Sequence, residues 1–230
     1  MLYRCAAVIL VATALASGVG GISGAGHAKS LCRSDQGSPE VVLTIDPGKV
    51  ALNNGHSRGQ LAALRGRNAP PSPLGARWKP VGLTLTERQF TMRVQVRARR
   101  AAKGHFCGYL TKVTARIGYD KLNVYVARKY RPGSCQYRSI LDHENRHVAV
   151  FRNTLVKYAP RVERRIRRLA SRMPPAAARS ADATAKILQN KLQRGLKPLF
   201  REMDREMDFR NSKLDTPQNY RQEQARCSGW

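Results

Sequence analysis

The chain is short of negative charge. Its 230 residues carry 15 Asp and Glu against 42 Lys and Arg, a formal net charge of +27. Such a field attracts polyanions, including anionic lipid head groups and acidic envelope polymers, but it says nothing about fold. Specific nucleic-acid binding is not expected, because no basic stripe interleaved with aromatics and no recognised binding module accompanies the charge. The chain also lacks any C-x-x-C pair, which argues against a cysteine-ligated zinc. It has no internal repeat. Its longest apolar run, Cys5 to Ala16, falls short of the roughly 20 residues that a membrane-spanning helix needs.

That short run reads instead as part of an export signal. Met1-Leu2-Tyr3-Arg4 is positively charged, the apolar run follows, and small residues dominate up to Ala28 with no charge before Lys29. Residues 1–28 are therefore assigned to a signal peptide, with cleavage after Ala28 or after Ala16 both satisfying the small-residue rule. The expected location is periplasmic or extracellular, with no transmembrane anchor after removal. The remaining chain carries +26 and four cysteines, Cys32, Cys107, Cys135 and Cys227. In an exported protein these imply two disulfides. Of the three possible pairings, Cys107–Cys135 and Cys32–Cys227 are expected. The first would clamp the strands ahead of the main helix, and the second would tie the chain ends together.

Residues 29–230 read as one α+β domain, strands first and helices second. Within 29–80, Val41–Ile45 forms a strand, and Asn68–Pro73 is a proline-rich connection. The sheet region covers 81–130. Val81, Leu83 and Leu85 alternate with polar residues, and the parity then shifts to Phe90, Met92, Val94 and Val96, implying a turn or bulge near Thr86–Arg88. Strands at Tyr109–Ile117 and Leu122–Val126, separated by Gly118–Lys121, complete an expected antiparallel meander. The strand Leu122–Val126, just ahead of the main helix, is a candidate to receive an extended substrate by strand addition. A helix follows over 136–172, with Ile140, Leu141, Val148, Phe151 and Leu155 on one side and a break or kink at Pro160. A second long helix covers 180–213, striped by Leu188, Leu192, Leu196, Leu199, Met203 and Met207, and kinked or split near Gly195 and Pro198.

The chemistry lies in Leu141-Asp142-His143-Glu144-Asn145-Arg146-His147-Val148, an H-E-x-x-H motif within a helical segment. Residues four apart lie one above the other on a helix, so His143 and His147 can both reach one Zn²⁺. Glu144, the residue after the first ligand, is then placed to activate water as general base. At about 100° per residue it falls near the middle of the apolar stripe, where an unpaired carboxylate would be expensive to bury.

The segment Cys135-x-x-x-Ser139-Ile140-Leu141-x-His143-Glu144-x-x-His147-Val148-Ala149, following β-strands in a signal-bearing chain, resembles the bacterial predicted secreted zinc-dependent protease family (domain of unknown function 922). The likeness spans roughly Val41 to the C-terminus and is sharp around the His-Glu-His helix. It implies a zincin-like metallopeptidase fold, with zinc held by His143 and His147 and Glu144 as general base.

A third zinc ligand is needed. No histidine follows His147, and Val148-Ala149-Val150 lacks the glycine of the metzincin pattern, so a downstream carboxylate is expected. Within the acidic cluster 202–208, Glu206 projects nearest the Leu/Met stripe and is the leading choice, with Glu202 next and Glu163 a weaker one. Tyr220 and Tyr137 are candidates for oxyanion stabilisation, and His105 could approach the site through Cys107. The expected function is a secreted zinc metallopeptidase acting on a peptide or protein, with anionic envelope polymers as possible further partners. The alternatives are a basic envelope-binding protein with a structural or vestigial metal site, and an amide hydrolase of cell-wall peptides.

Overall fold

The computed structural model describes Cys32, residues 37–66 and residues 79–230. The expected signal segment and the proline-rich connection at 68–73 lie outside the described residues.

The sheet is organised around one long strand. β1 (Glu40–Asp46) and β2 (Lys49–Asn53) precede a short helix α1 (Arg58–Arg65), and then come β3 (Gly82–Arg100) and β4 (Phe106–Val126). β3 lies antiparallel along all of β4, from Gly82 opposite Val126 to Arg100 opposite Phe106. With that edge of β4 filled, its other edge is shared. β5 (Ala176–Ala178) pairs antiparallel at 106–108, β1 parallel at 112–118, and β2 parallel at 121–125. The α+β class holds, but the all-antiparallel meander does not: the sheet is mixed. The two breaks expected near Thr86–Arg88 and Gly118–Lys121 are one feature. The β3–β4 register slips there, with Thr86 opposite Leu122 and Arg88 opposite Tyr119, so a bulge shifts the parity of both strands without ending either. Because β3 and β2 occupy both edges of 122–125, that stretch has no free edge for a substrate strand.

Ser134 caps α2 (Cys135–Ser171), its hydroxyl accepting from the Tyr137 amide at 3.2 Å. α2 runs on through Pro160, and α3 (Ala181–Leu214) runs on through Gly195 and Pro198, so neither helix is split. Ala176–Ala178, between the two helices, is the strand β5; three alanines show no alternation to reveal it. The two helices cover the sheet. Phe151, Leu155, Val162 and Ile166 of α2 and Leu188, Leu192, Leu196, Met203 and Met207 of α3 are all fully buried with Ile117, Leu122 and Val124 of β4. Burying each such side chain contributes about 1.5–3 kcal/mol, which fixes α2 and α3 as an antiparallel pair.

One element is not apparent in the hydrophobic stripes. After Asp215 a short helix α4 (Pro217–Gln224) begins, with Thr216 capping the Asn219 amide and Pro217 in the first turn. The disulfides correct the expected pairing: they join Cys32 to Cys107 and Cys135 to Cys227. Cys107 stands at the start of β4 and Cys135 just beyond its far end. An extended strand of that length spans on the order of 60 Å, out of reach for a disulfide. Two disulfides fit an exported chain, and among the described residues no helix is long and apolar enough to cross a membrane.

Candidate metal centre

His143 and His147 project from α2 into the space between it and the α3–α4 junction, and both are essentially inaccessible to solvent. Their Nε2 atoms lie 3.0 Å apart. The Oδ1 atom of Asp215, at the end of α3, lies 3.2 Å from His143 Nε2 and 3.3 Å from His147 Nε2. Three buried donor atoms thus converge, and this group could hold a metal ion.

The surroundings explain the convergence. His143 Nδ1 is 2.9 Å from Glu223 Oε1 on α4, and His147 Nδ1 is 3.0 Å from Asn211 Oδ1 on α3. Each acceptor selects the tautomer that carries its proton on Nδ1, leaving the Nε2 lone pair aimed at the centre. Three lone pairs facing one another out of water repel unless a cation lies among them. His143 feels these neighbours strongly. Burial alone would lower its pKa, but bonds to Asp215 and Glu223 outweigh it and raise the value to about 9. Asp215 is held well below the usual carboxylate range, burial being overcome by the two histidines.

Size and chemistry also fit. Zinc with His and carboxylate ligands at about 2.0–2.1 Å in a tetrahedron spaces its donors about 3.3–3.4 Å apart, close to the 3.0, 3.2 and 3.3 Å edges found here. Two imidazoles and a carboxylate also suit non-haem iron.

Glu144 faces the same space, fully buried. Its Oε2 accepts from the Thr84 hydroxyl at 2.7 Å, while Oε1 has no partner among the described residues. Burial pushes its carboxyl up, against His147, His143 and Thr84, which hold it down. Gly82 on β3 makes room: a Cβ there would stand 2.4 Å from Glu144 Oε1 and 2.6 Å from Ile140. Beyond these groups opens a cavity of about 270 Å³, lined by His143, Glu144, Tyr130, Tyr220, Glu223 and Trp230 among others. The Cys135–Cys227 bridge fastens the segment after α4 to the first residue of α2. Within that segment the Trp230 indole donates to Gln224 O at 2.7 Å.

Glu206 is not the third carboxylate. α3 runs antiparallel to α2, so its later residues meet earlier turns of α2: Glu202 meets Arg161, Glu206 meets Lys157, and Asn211 meets His147. Lys157 lies ten residues past His147, about 15 Å along the helix. There Glu206 is engaged by Lys157, Tyr158 and Arg210, and these hold its pKa at about 2. Glu202 is paired with Arg161 and Tyr158, and Glu163 with Arg167. Tyr220 does reach the centre, its ring stacked on His143 at 5.3 Å and its hydroxyl donating to Asp215 at 2.7 Å. Tyr137 is buried beside Ile140 and Tyr130 instead. His105 bonds the Lys103 carbonyl, and its neighbour Cys107 is bridged to Cys32, not to the metal helix. Asp215 and Glu223 lie past the end of the hydrophobic stripe, where periodicity gives no sign of them. Asp-Thr-Pro at 215–217 is a helix-stop and helix-start signal directly after the hydrophobic stripe.

Comparison with family models, with curated proteins and with solved structures finds no match to this chain.

Proposed function

We propose that the protein is an exported zinc-dependent metallopeptidase in which His143, His147 and Asp215 hold the metal and Glu144 is the general base. The observation that carries this reading is the Glu144 carboxylate, fully buried beside the donor cluster, with one oxygen fixed by Thr84 and the other unpartnered among the described residues. A purely structural site has no use for such a group, whereas hydrolysis of an amide requires it.

Zinc at this position would supply Lewis-acid activation of water and of the scissile carbonyl. Glu144 takes a proton from the attacking water on Oε1 and returns it to the leaving amine. Glu223 and Asn211 hold the two imidazoles in orientation, and Tyr220 holds Asp215. Tyr220 therefore acts on Asp215. The 270 Å³ cavity beside Glu144 is where a peptide segment would lie.

A structural zinc site has four protein ligands. Three residues converge here among the described residues, and His143 borders a cavity, which favours the catalytic reading over a binding protein with a structural metal. Hydrolysis of cell-wall peptides would use the same residues. The resemblance to secreted zinc-dependent proteases, carried by the α2 residues, points the same way.

The test is Glu144→Gln, assayed on denatured casein and on isolated cell-wall peptides. The variant should keep its metal and lose about 10²–10⁴-fold in turnover. A variant as active as the wild type would remove Glu144 from the mechanism.

A further inference from the structure

The second half of α2 carries a group of side chains that the metal centre does not use. Arg161, Arg164, Arg165 and Arg168 follow the i, i+3, i+4, i+7 spacing and so share one helix face. With Arg205 and Glu202 of α3 they line a groove of about 600 Å³ between the two helices. Glu202, the only acid among the lining residues, is already bound by Arg161 at 2.8 Å, and Arg161 also lies 4.6 Å over the Tyr158 ring. Arg165 donates to the Gly195 carbonyl at 3.2 Å. Arg164, Arg168 and Arg205 are exposed, and among the described residues their guanidinium groups make no ion pair or hydrogen bond.

Like charges at this spacing destabilise a helix. The chain avoids that cost nearby, pairing Glu163 with Arg167 and Glu206 with Arg210 at i, i+4. Among the described residues the groove sets one acid, Glu202, against five arginines. The groove itself is built closely: a Cβ on Gly195 would meet Leu169 Cδ1 at 2.6 Å, so the helices approach each other at the glycine.

We infer that this groove is a binding site for a ligand presenting closely spaced phosphate groups. The free cations lining it are all arginines, whose planar forks bind phosphate oxygens bidentately, which a lysine cannot do. Three such forks spread over two helices suit adjacent phosphates, each fork taking the oxygens of one group. The overall positive charge draws polyanions to the whole surface, and the groove is where they would be held. A free polyphosphate and a cluster of phospholipid head groups offer the same chemistry.

The experiment compares two triple variants of the full chain that lose equal charge. One is Arg164→Gln/Arg168→Gln/Arg205→Gln in the groove. The other is Arg93→Gln/Arg97→Gln/Arg99→Gln, exposed positions on β3. Binding of inorganic tripolyphosphate is measured by calorimetry at about 0.15 M salt, where surface charges are largely screened. Binding to phosphatidylglycerol vesicles is measured by co-sedimentation, and circular dichroism checks folding. The groove variant should bind at least about tenfold more weakly to one probe or both, and the β3 variant within about twofold of wild type. Loss for tripolyphosphate alone identifies a free phosphate ligand, and loss for vesicles identifies lipid head groups. Equal weakening in the two variants, or no binding of either probe by the wild type, would overturn the inference.

Discussion

The two halves of α2 solve opposite problems with charge. In the first half His143, Glu144 and His147 are buried, and each meets a partner from β3, α3 or the α3–α4 junction. In the second half Arg164 and Arg168 stand exposed along the groove with no ion pair or hydrogen bond among the described residues. Both halves face the same partner helix and rest on the same core. The difference lies in what the following chain provides. Past Leu214 the sequence supplies Asp215, Tyr220 and Glu223, enough to surround buried polar groups whose unpaired burial would cost several kcal/mol. Along the groove it supplies one carboxylate, already occupied by Arg161. Where counter-charge is internal, the chain has made a preorganised centre; where it is absent, the chain presents an open surface.

The comparison breaks most severely if the shared support is removed. Leu155, fully buried midway between the halves, should cost about 2–5 kcal/mol when changed to Ala, measured by urea denaturation of the metal-free protein. A smaller change acts at the buried end alone. Gly82→Ala places a methyl against Glu144 Oε1 and should lower turnover by about 10²-fold while metal content is kept, since small displacements of a reacting group are costly. Glu223→Gln sharpens the contrast further: it weakens orientation of His143 and should reduce metal affinity about 10–100-fold, read by competition with a chelator.

The smallest effect belongs to the ion pairs between the halves. The pKa of Glu206 is lowered from 4.5 to about 2 by Lys157, Tyr158 and Arg210. A lowered folded-state value means that the contribution is fully present above the unfolded value and lost as pH falls from about 4.5 through about 2. Because the site is partly solvated, the effect is modest and salt-sensitive. Glu206→Gln should flatten the acid limb of stability in that window and leave stability near neutral pH slightly reduced, as denaturation midpoints across pH would report.

What could be read from the sequence follows the range of each interaction. His143, Glu144 and His147 lie within five residues on one helix, so spacing alone aligns them. The stripes of α2 and α3 are likewise local, and their leucines and methionines are buried, Leu141 and Leu199 only partly. Asp215 is a different case. It joins the two histidines only because α3 packs antiparallel on α2, and the turn at Asp215-Thr216-Pro217 brings α4 back over them. Periodicity favours Glu206, which shares the correct helix but faces a turn of α2 too far along. The disulfides fail for the same reason: Cys107 and Cys135 are neighbours in cysteine order but stand at opposite ends of β4. Parallel pairing of β1 and β2 with β4 depends on contacts about 70 residues apart. A strand pattern carries no record of such partners.

The most direct measurement is elemental analysis of the purified protein for zinc and iron after mild dialysis, alongside Asp215→Ala and Glu206→Ala. The account predicts roughly one zinc per chain in the wild type and in Glu206→Ala, and none in Asp215→Ala. Zinc retained without Asp215, or lost without Glu206, would contradict the assigned centre.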